Sequence, residues 1–173
     1  MHIYRAIFLR KNILKGELTM EILEYVHDYK DNVNNLMHEI LVEEYGFSQF
    51  SEEILNAQNE EYVLNNNKLW LAMENGEIVG TTGIVELPDN HALLKKVYVK
   101  ETHRGKGIAQ QLLDQCLVYA KQLGFDDIIL VTYQRLERAR AFYSKNGFIP
   151  YYNGYERPQG EEIRFRLDLK ETA

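Results

Sequence analysis

The most constraining stretch of this chain is a β-loop-α-β unit between His91 and Thr132. His91 to Lys100 reads as a strand, and a glycine-bearing loop, Glu101 to Gly107, follows it. From Ile108 to Leu123 the apolar residues Ala109, Leu112, Leu113, Cys116, Leu117 and Ala120 recur at helical spacing and line one face. Gly124 ends that helix. Ile128 to Thr132 is then a continuous apolar strand, as expected in the middle of a sheet covered on both sides. A chain holding such a unit needs helices layered on a sheet.

The flanking sequence supplies more strands. Glu21 to Val26 alternates weakly and reads as a first strand. Asn32 to Tyr45 has helical spacing, with Val33, Leu36, Met37, Ile40, Leu41 and Tyr45 apolar, and stops at Gly46. Phe50 to Val63 reads as a second helix, opened by Ser51, Glu52 and Glu53. Leu69 to Glu74 and Glu77 to Leu87 flank Asn75-Gly76, a strong hairpin signal. With His91 to Lys100 they make a meander of three. A short helix is expected from about Arg135 to Lys145, then strands over Phe148 to Tyr152 and Glu162 to Leu169. The last alternates strictly, and either pairs across a homodimer or ends the sheet. The expectation is one α/β domain over 20–173. It has a mixed sheet of about six or seven strands, an antiparallel N-terminal meander and a parallel central β-α-β unit, flanked by helices.

Size and charge narrow the options. The chain has 173 residues, 45% hydrophobic and 27% charged, which suits one packed domain rather than disorder. A net charge of −6 argues against a nucleic-acid surface. One cysteine excludes an internal disulfide framework and fits a reducing, cytoplasmic setting. No apolar run approaches the roughly 20 residues that span a bilayer, so no membrane partner is expected. The five histidines have no metal-ligand spacing and no cysteine pair helps them, so no metal is expected. Residues 1–19 read as an extension that is either an ordinary arm or not native. Lys15-Gly16-Glu17 can be encoded by a purine-rich ribosome-binding stretch just before Met20.

The loop Arg104-Gly105-Lys106-Gly107-Ile108-Ala109 points to an anion. Glycines let the backbone take positive φ and approach a ligand closely. The first N–H groups of a helix lack internal partners, and the helix dipole favours negative charge there. With Arg104 and Lys106 beside them, the site suits a phosphate. A dinucleotide fingerprint needs a third glycine where Gln110 stands, and a nucleoside-triphosphate loop needs Ser or Thr where Gly107 follows Lys106. Both nucleotide readings fail on spacing.

The stretch Leu94 to Val99, then Arg104 to Ala109, then Leu112-Leu113 resembles the acetyl-CoA motif of the GNAT N-acetyltransferases. Ala139 to Phe148, ARAFYSKNGF, resembles their second signature, in the same order and at the same separation. The resemblance implies an acetyl-CoA-dependent transfer of an acetyl group to a primary amine of a small molecule or protein. It places the coenzyme's pyrophosphate on Arg104, Gly107 and Ala109, with Gly105, Lys106 and Ile108 supplying neighbouring N–H groups. It places the pantetheine and thioester along Val97, Tyr98 and Val99, and makes Tyr143 the acid that protonates the leaving thiolate. It also implies that the strand before the loop parts from Ile128–Thr132. Two family positions differ. Leu136 stands where many members have Asn, and Leu93 where many have a Glu base. The base is then Glu86, His91 or water, and a non-catalytic acyl-CoA-binding or partner-binding module is the alternative reading. Glu43-Glu44 either receives a cationic amine or is a solvated helix face. Tyr45, Tyr98, Tyr133, Tyr151 and Tyr152 either line an acceptor pocket or serve the sheet.

Overall fold

The computed structural model describes residues 20–47, 54–55, 59, 61–152 and 161–170. Seven strands form one sheet: β1 (Met20–Glu24), β2 (Lys68–Glu74), β3 (Glu77–Leu87), β4 (His91–Val99), β5 (Asp127–Tyr133), β6 (Ile149–Pro150) and β7 (Glu162–Asp168), in the order β1-β2-β3-β4-β5-β7-β6. The helices whose ends are described are α1 (Lys30–His38), α2 (Ile108–Leu123) and α3 (Glu137–Lys145). The proposed extension, residues 1–19, lies outside the described residues. So does most of the second helix expected over 50–63, of which Glu61–Val63 is a 3-10 turn.

By internal contacts the chain divides into two compact units, Met1–Gly83 with Lys96–Gln115, and Ile84–Lys95 with Cys116–Ala173. In the first, β1 pairs antiparallel with β2 from Met20↔Glu74 to Glu24↔Trp70. The β2–β3 turn is made as its residues demand: Asn75 and Gly76 both have positive φ, +53° and +83°. Val33, Leu36, Met37, Leu71, Val79, Leu112 and Leu113 are buried here. The regular helix expected through Tyr45 ends at His38. Its last stretch, Glu39–Glu44, is a π-helix. One widened turn shifts a side chain by less than the width of an apolar stripe, so the spacing of Ile40 and Leu41 did not reveal it.

In the second unit, β4 and β5 are parallel from His91↔Asp127 to Leu94↔Leu130. β5 pairs antiparallel with β7 over its whole length, Asp127↔Asp168 to Tyr133↔Glu162. β6 adds Ile149↔Arg166 and Pro150↔Phe165 on the far side of β7. The last strand in sequence therefore does not end the sheet, as one expectation had it. It inserts between β5 and β6. Ile128, Leu130, Phe148 and Phe165 are buried in this unit, with Cys116 and Ala120. Among the described residues no helix is long and apolar enough to cross a membrane.

Candidate active site

β4 changes conformation before it reaches the loop. Lys96 has φ +53°, although it lies inside a strand and is only 6% exposed. The left-handed region costs an L-residue about 1–2 kcal/mol. Among the described residues, the other non-glycine residues with positive φ are asparagines and an aspartate. Within the first unit β3 shapes the outgoing end of β4. Thr81 Oγ1 donates to the Lys96 carbonyl at 2.7 Å. Lys100 N–H bonds Val79 O at 2.9 Å. A Cβ on Gly80 would stand 3.0 Å from the Tyr98 carbonyl oxygen, so only glycine lets Tyr98 come this close. Val99 is buried; Val97 and Tyr98 are half-buried.

The loop then turns on two glycines. Gly105 and Gly107 have φ +79° and +80°, and no atom lies within 4 Å of where a Cβ would sit on either. Both need glycine's left-handed freedom, and both face open space. Ile108 is the first residue of α2. The Gln111 N–H to Gly107 O bond, 3.1 Å, closes its first turn. The N–H groups of Ile108 and Ala109 precede that bond at the positive end of the helix.

Carboxylates from the same unit engage the cations around this loop. Arg104 forms a bidentate pair with Glu44, both bonds 2.6 Å, while its Nε donates to Val99 O at 2.9 Å. The hydrogen bond that Arg104 donates to Glu44 is the main cause of a raised Arg104 pKa. Lys100 Nζ reaches Glu77 at 2.5 Å and Glu39 at 3.0 Å. The bond to Glu77 is the main cause of a raised lysine pKa, and the same bond lowers that of Glu77. His103 Nε2 stands 3.0 Å from Glu74. Lys106 is exposed and makes no ion pair among the described residues. So the guanidinium assigned by resemblance to the pyrophosphate is held by Glu44. Glu43 pairs with His38 at 3.4 Å. Glu43 is exposed on the helix, whereas Glu44 is engaged by Arg104.

In the second unit Tyr143 sits in the last turns of α3, 7% exposed. Its ring meets Phe142 at 5.7 Å, Phe148 at 5.8 Å and Phe165 at 6.3 Å between centroids. Such edge and tilted contacts fix the ring. Gly147 ends the helix at φ +85°, with the place of its Cβ 3.3 Å from Leu167. Leu136 is the N-cap of α3, without a side-chain cap bond. Leu93 pairs across β5 with Ile129, and Glu86 is exposed.

His91 is neither a free turn residue nor beside Tyr143. Its Nδ1 lies 2.8 Å from Oδ1 of Asp127, which is fully buried. Arg166 Nη2 stands 2.7 Å from Asp127 Oδ2, and its guanidinium lies 5.5 Å from the Tyr151 ring centre. Tyr143 instead packs on Phe165, opposite Leu130, about 10 Å further along β5. Sequence reasoning missed Asp127, Arg166, Gly80, Thr81 and the left-handed backbone at Lys96. A glycine inside a strand, at 80 and again at 83, was the available signal.

Fold and loop define a class of mixed α/β sheets with a glycine-bearing loop opening a helix. The model of the acetyltransferase (GNAT) family matches residues 34–148, two thirds of the chain, and the chain belongs to that family. It is 34% identical over 84 residues to N-acetyltransferase 8 of Rattus norvegicus, covering 46% of this chain and 38% of that protein. An uncharacterized N-acetyltransferase of Escherichia coli is 34% identical over 82 residues, 46% of this chain and 49% of the relative. The chain thus spans less than half the length of these relatives. A GNAT acetyltransferase crystal structure from Staphylococcus aureus superposes with a TM-score of 0.79 at 28% identity, covering 87% of this chain and 99% of that one. The PaiA N-acetyltransferase of Thermoplasma acidophilum, solved in complex with coenzyme A, shares the fold with a TM-score of 0.67 at 20% identity, covering 87% of this chain and 99% of that one.

Proposed function

We propose that this protein transfers the acetyl group of acetyl-CoA to a primary amine. The observation that carries the reading is the pair of left-handed glycines, Gly105 and Gly107, open to space at the start of α2. That arrangement suits a diphosphate held by backbone N–H groups. The Thermoplasma neighbour's complex with coenzyme A supports the same ligand class.

In this reading Gly105, Gly107, Ile108 and Ala109 hold the pyrophosphate through their backbone, and Lys106 adds charge. Arg104 acts through Glu44 and Val99 to keep the loop in place. Val97 to Val99 run beside the pantetheine, and one of their N–H groups polarises the thioester carbonyl. An alkyl ammonium, of pKa about 10.4, first gives up a proton. The amine nitrogen then bonds the carbonyl carbon, and the carbon–sulfur bond breaks. Tyr143 gives its proton to the departing thiolate, and the proton released by the amine restores the phenol. His91 is engaged by Asp127, which leaves water or Glu86 to accept the amine's proton. The lone cysteine, buried Cys116, is in keeping with a cytoplasmic protein.

Calorimetry with coenzyme A and thiol release from acetyl-CoA across a panel of primary amines test this directly. Tight binding with amine-dependent release is expected. Leu93 and Leu136, at the two positions that differ from the family pattern, favour a second reading, an acyl-CoA-binding module without turnover. Binding without release from any amine would establish that one, and no binding at millimolar coenzyme would sink both.

A further inference from the structure

We propose that Thr81 is a positioning residue for acetyl transfer. Its hydroxyl holds the left-handed backbone at Lys96, the residue just before Val97 and Tyr98, which run beside the thioester. The inference rests on the acyl-transfer reading above. A lysine gains nothing from the left-handed region, so the φ of +53° at Lys96 persists only because its surroundings impose it. Of the β3 contacts to this end of β4, the Val79–Lys100 bond is an ordinary backbone one, and Gly80 merely makes room. The Thr81 bond comes from a side chain, and it falls on the strained residue itself. A buried backbone carbonyl needs a donor. Thr81 is fully buried and supplies one at 2.7 Å.

Thr81→Val keeps the shape and removes the donor. Thiol release with the fastest amine of the panel should show kcat reduced about tenfold while KM for acetyl-CoA moves less than about twofold, as expected for one lost hydrogen bond felt mainly in the transition state. Thr81→Ser should restore kcat. Lys96→Gly takes positive φ without strain, so the double variant Thr81→Val/Lys96→Gly should recover most of the lost rate. A merely structural threonine would give no such recovery. Equal kcat in wild type and Thr81→Val, or no recovery in the double variant, overturns the proposal. If Thr81→Val does not fold, the double variant should; failure of both also overturns it. A wild-type protein that releases no thiol from acetyl-CoA sinks the acyl-transfer reading instead, and this assignment with it.

Discussion

Tyr143 and Arg104 are both motif residues, yet their surroundings give them different work. Tyr143 is buried among three phenylalanines, so its ring orientation is fixed by packing. Tyr143→Phe keeps those contacts and removes the proton. Turnover should fall about a hundredfold, the lower end for a lost general acid, with coenzyme affinity unchanged in calorimetry. Arg104, by contrast, makes three hydrogen bonds to protein, two of them to Glu44. If it positions the loop through Glu44, Arg104→Ala and Glu44→Ala weaken coenzyme binding by similar amounts, and the double variant is little worse than either. Additive losses in this double-mutant cycle would mean that Arg104 touches the phosphate directly.

At the scale of elements, two charge clusters join strands. Asp127, fully buried at the start of β5, takes His91 from β4 and Arg166 from β7. Removing the carboxylate leaves the Arg166 guanidinium and the His91 ring without their shared partner. Asp127→Ala should therefore cost about 3 kcal/mol of stability, measured by urea unfolding. The second cluster ties Glu77, at the start of β3, to Lys100 just beyond β4. The Glu77 carboxyl lies below its ordinary 4.5, so its contribution is complete above that pH and is lost as pH falls through the lower folded value. Lys100 lies above its ordinary 10.5, so its contribution is complete below that pH and is lost as pH rises through the higher folded value. The difference in Tm between wild type and Glu77→Gln should be flat between 4.5 and 10.5 and shrink on both sides. The pair is exposed, and added salt should reduce the difference.

For the whole molecule, the sequence was readable where its signals were local. The face of α2, the Asn75-Gly76 turn and the two loop glycines each occupy a few neighbouring residues, and all stand as their chemistry required. What escaped was non-local. Nothing near Glu162 says that β7 slips between β5 and β6, because that order is decided by pairing partners elsewhere in the chain. Glu44 and Arg104 are 60 residues apart in sequence. The strained Lys96 could not be seen either, since lysine has no preference for that conformation and its clamp, Thr81, lies on another strand.

The same non-local construction predicts how the protein unfolds. The division into two units cuts β3 after Gly83, β4 after Lys95 and α2 after Gln115. β3, β4 and α2 are each continuous elements, and strands and helices gain their hydrogen bonds cooperatively along their length. Trp70, the single tryptophan, is buried in the first unit and reports on it alone, whereas far-UV circular dichroism averages over both. The two signals should trace one coincident transition in urea. Coenzyme A at a hundred times its Kd should move both midpoints together, by the free energy of mass action, about 2.7 kcal/mol. A tryptophan transition that shifts with coenzyme while part of the circular dichroism change stays behind would show that the second unit folds independently.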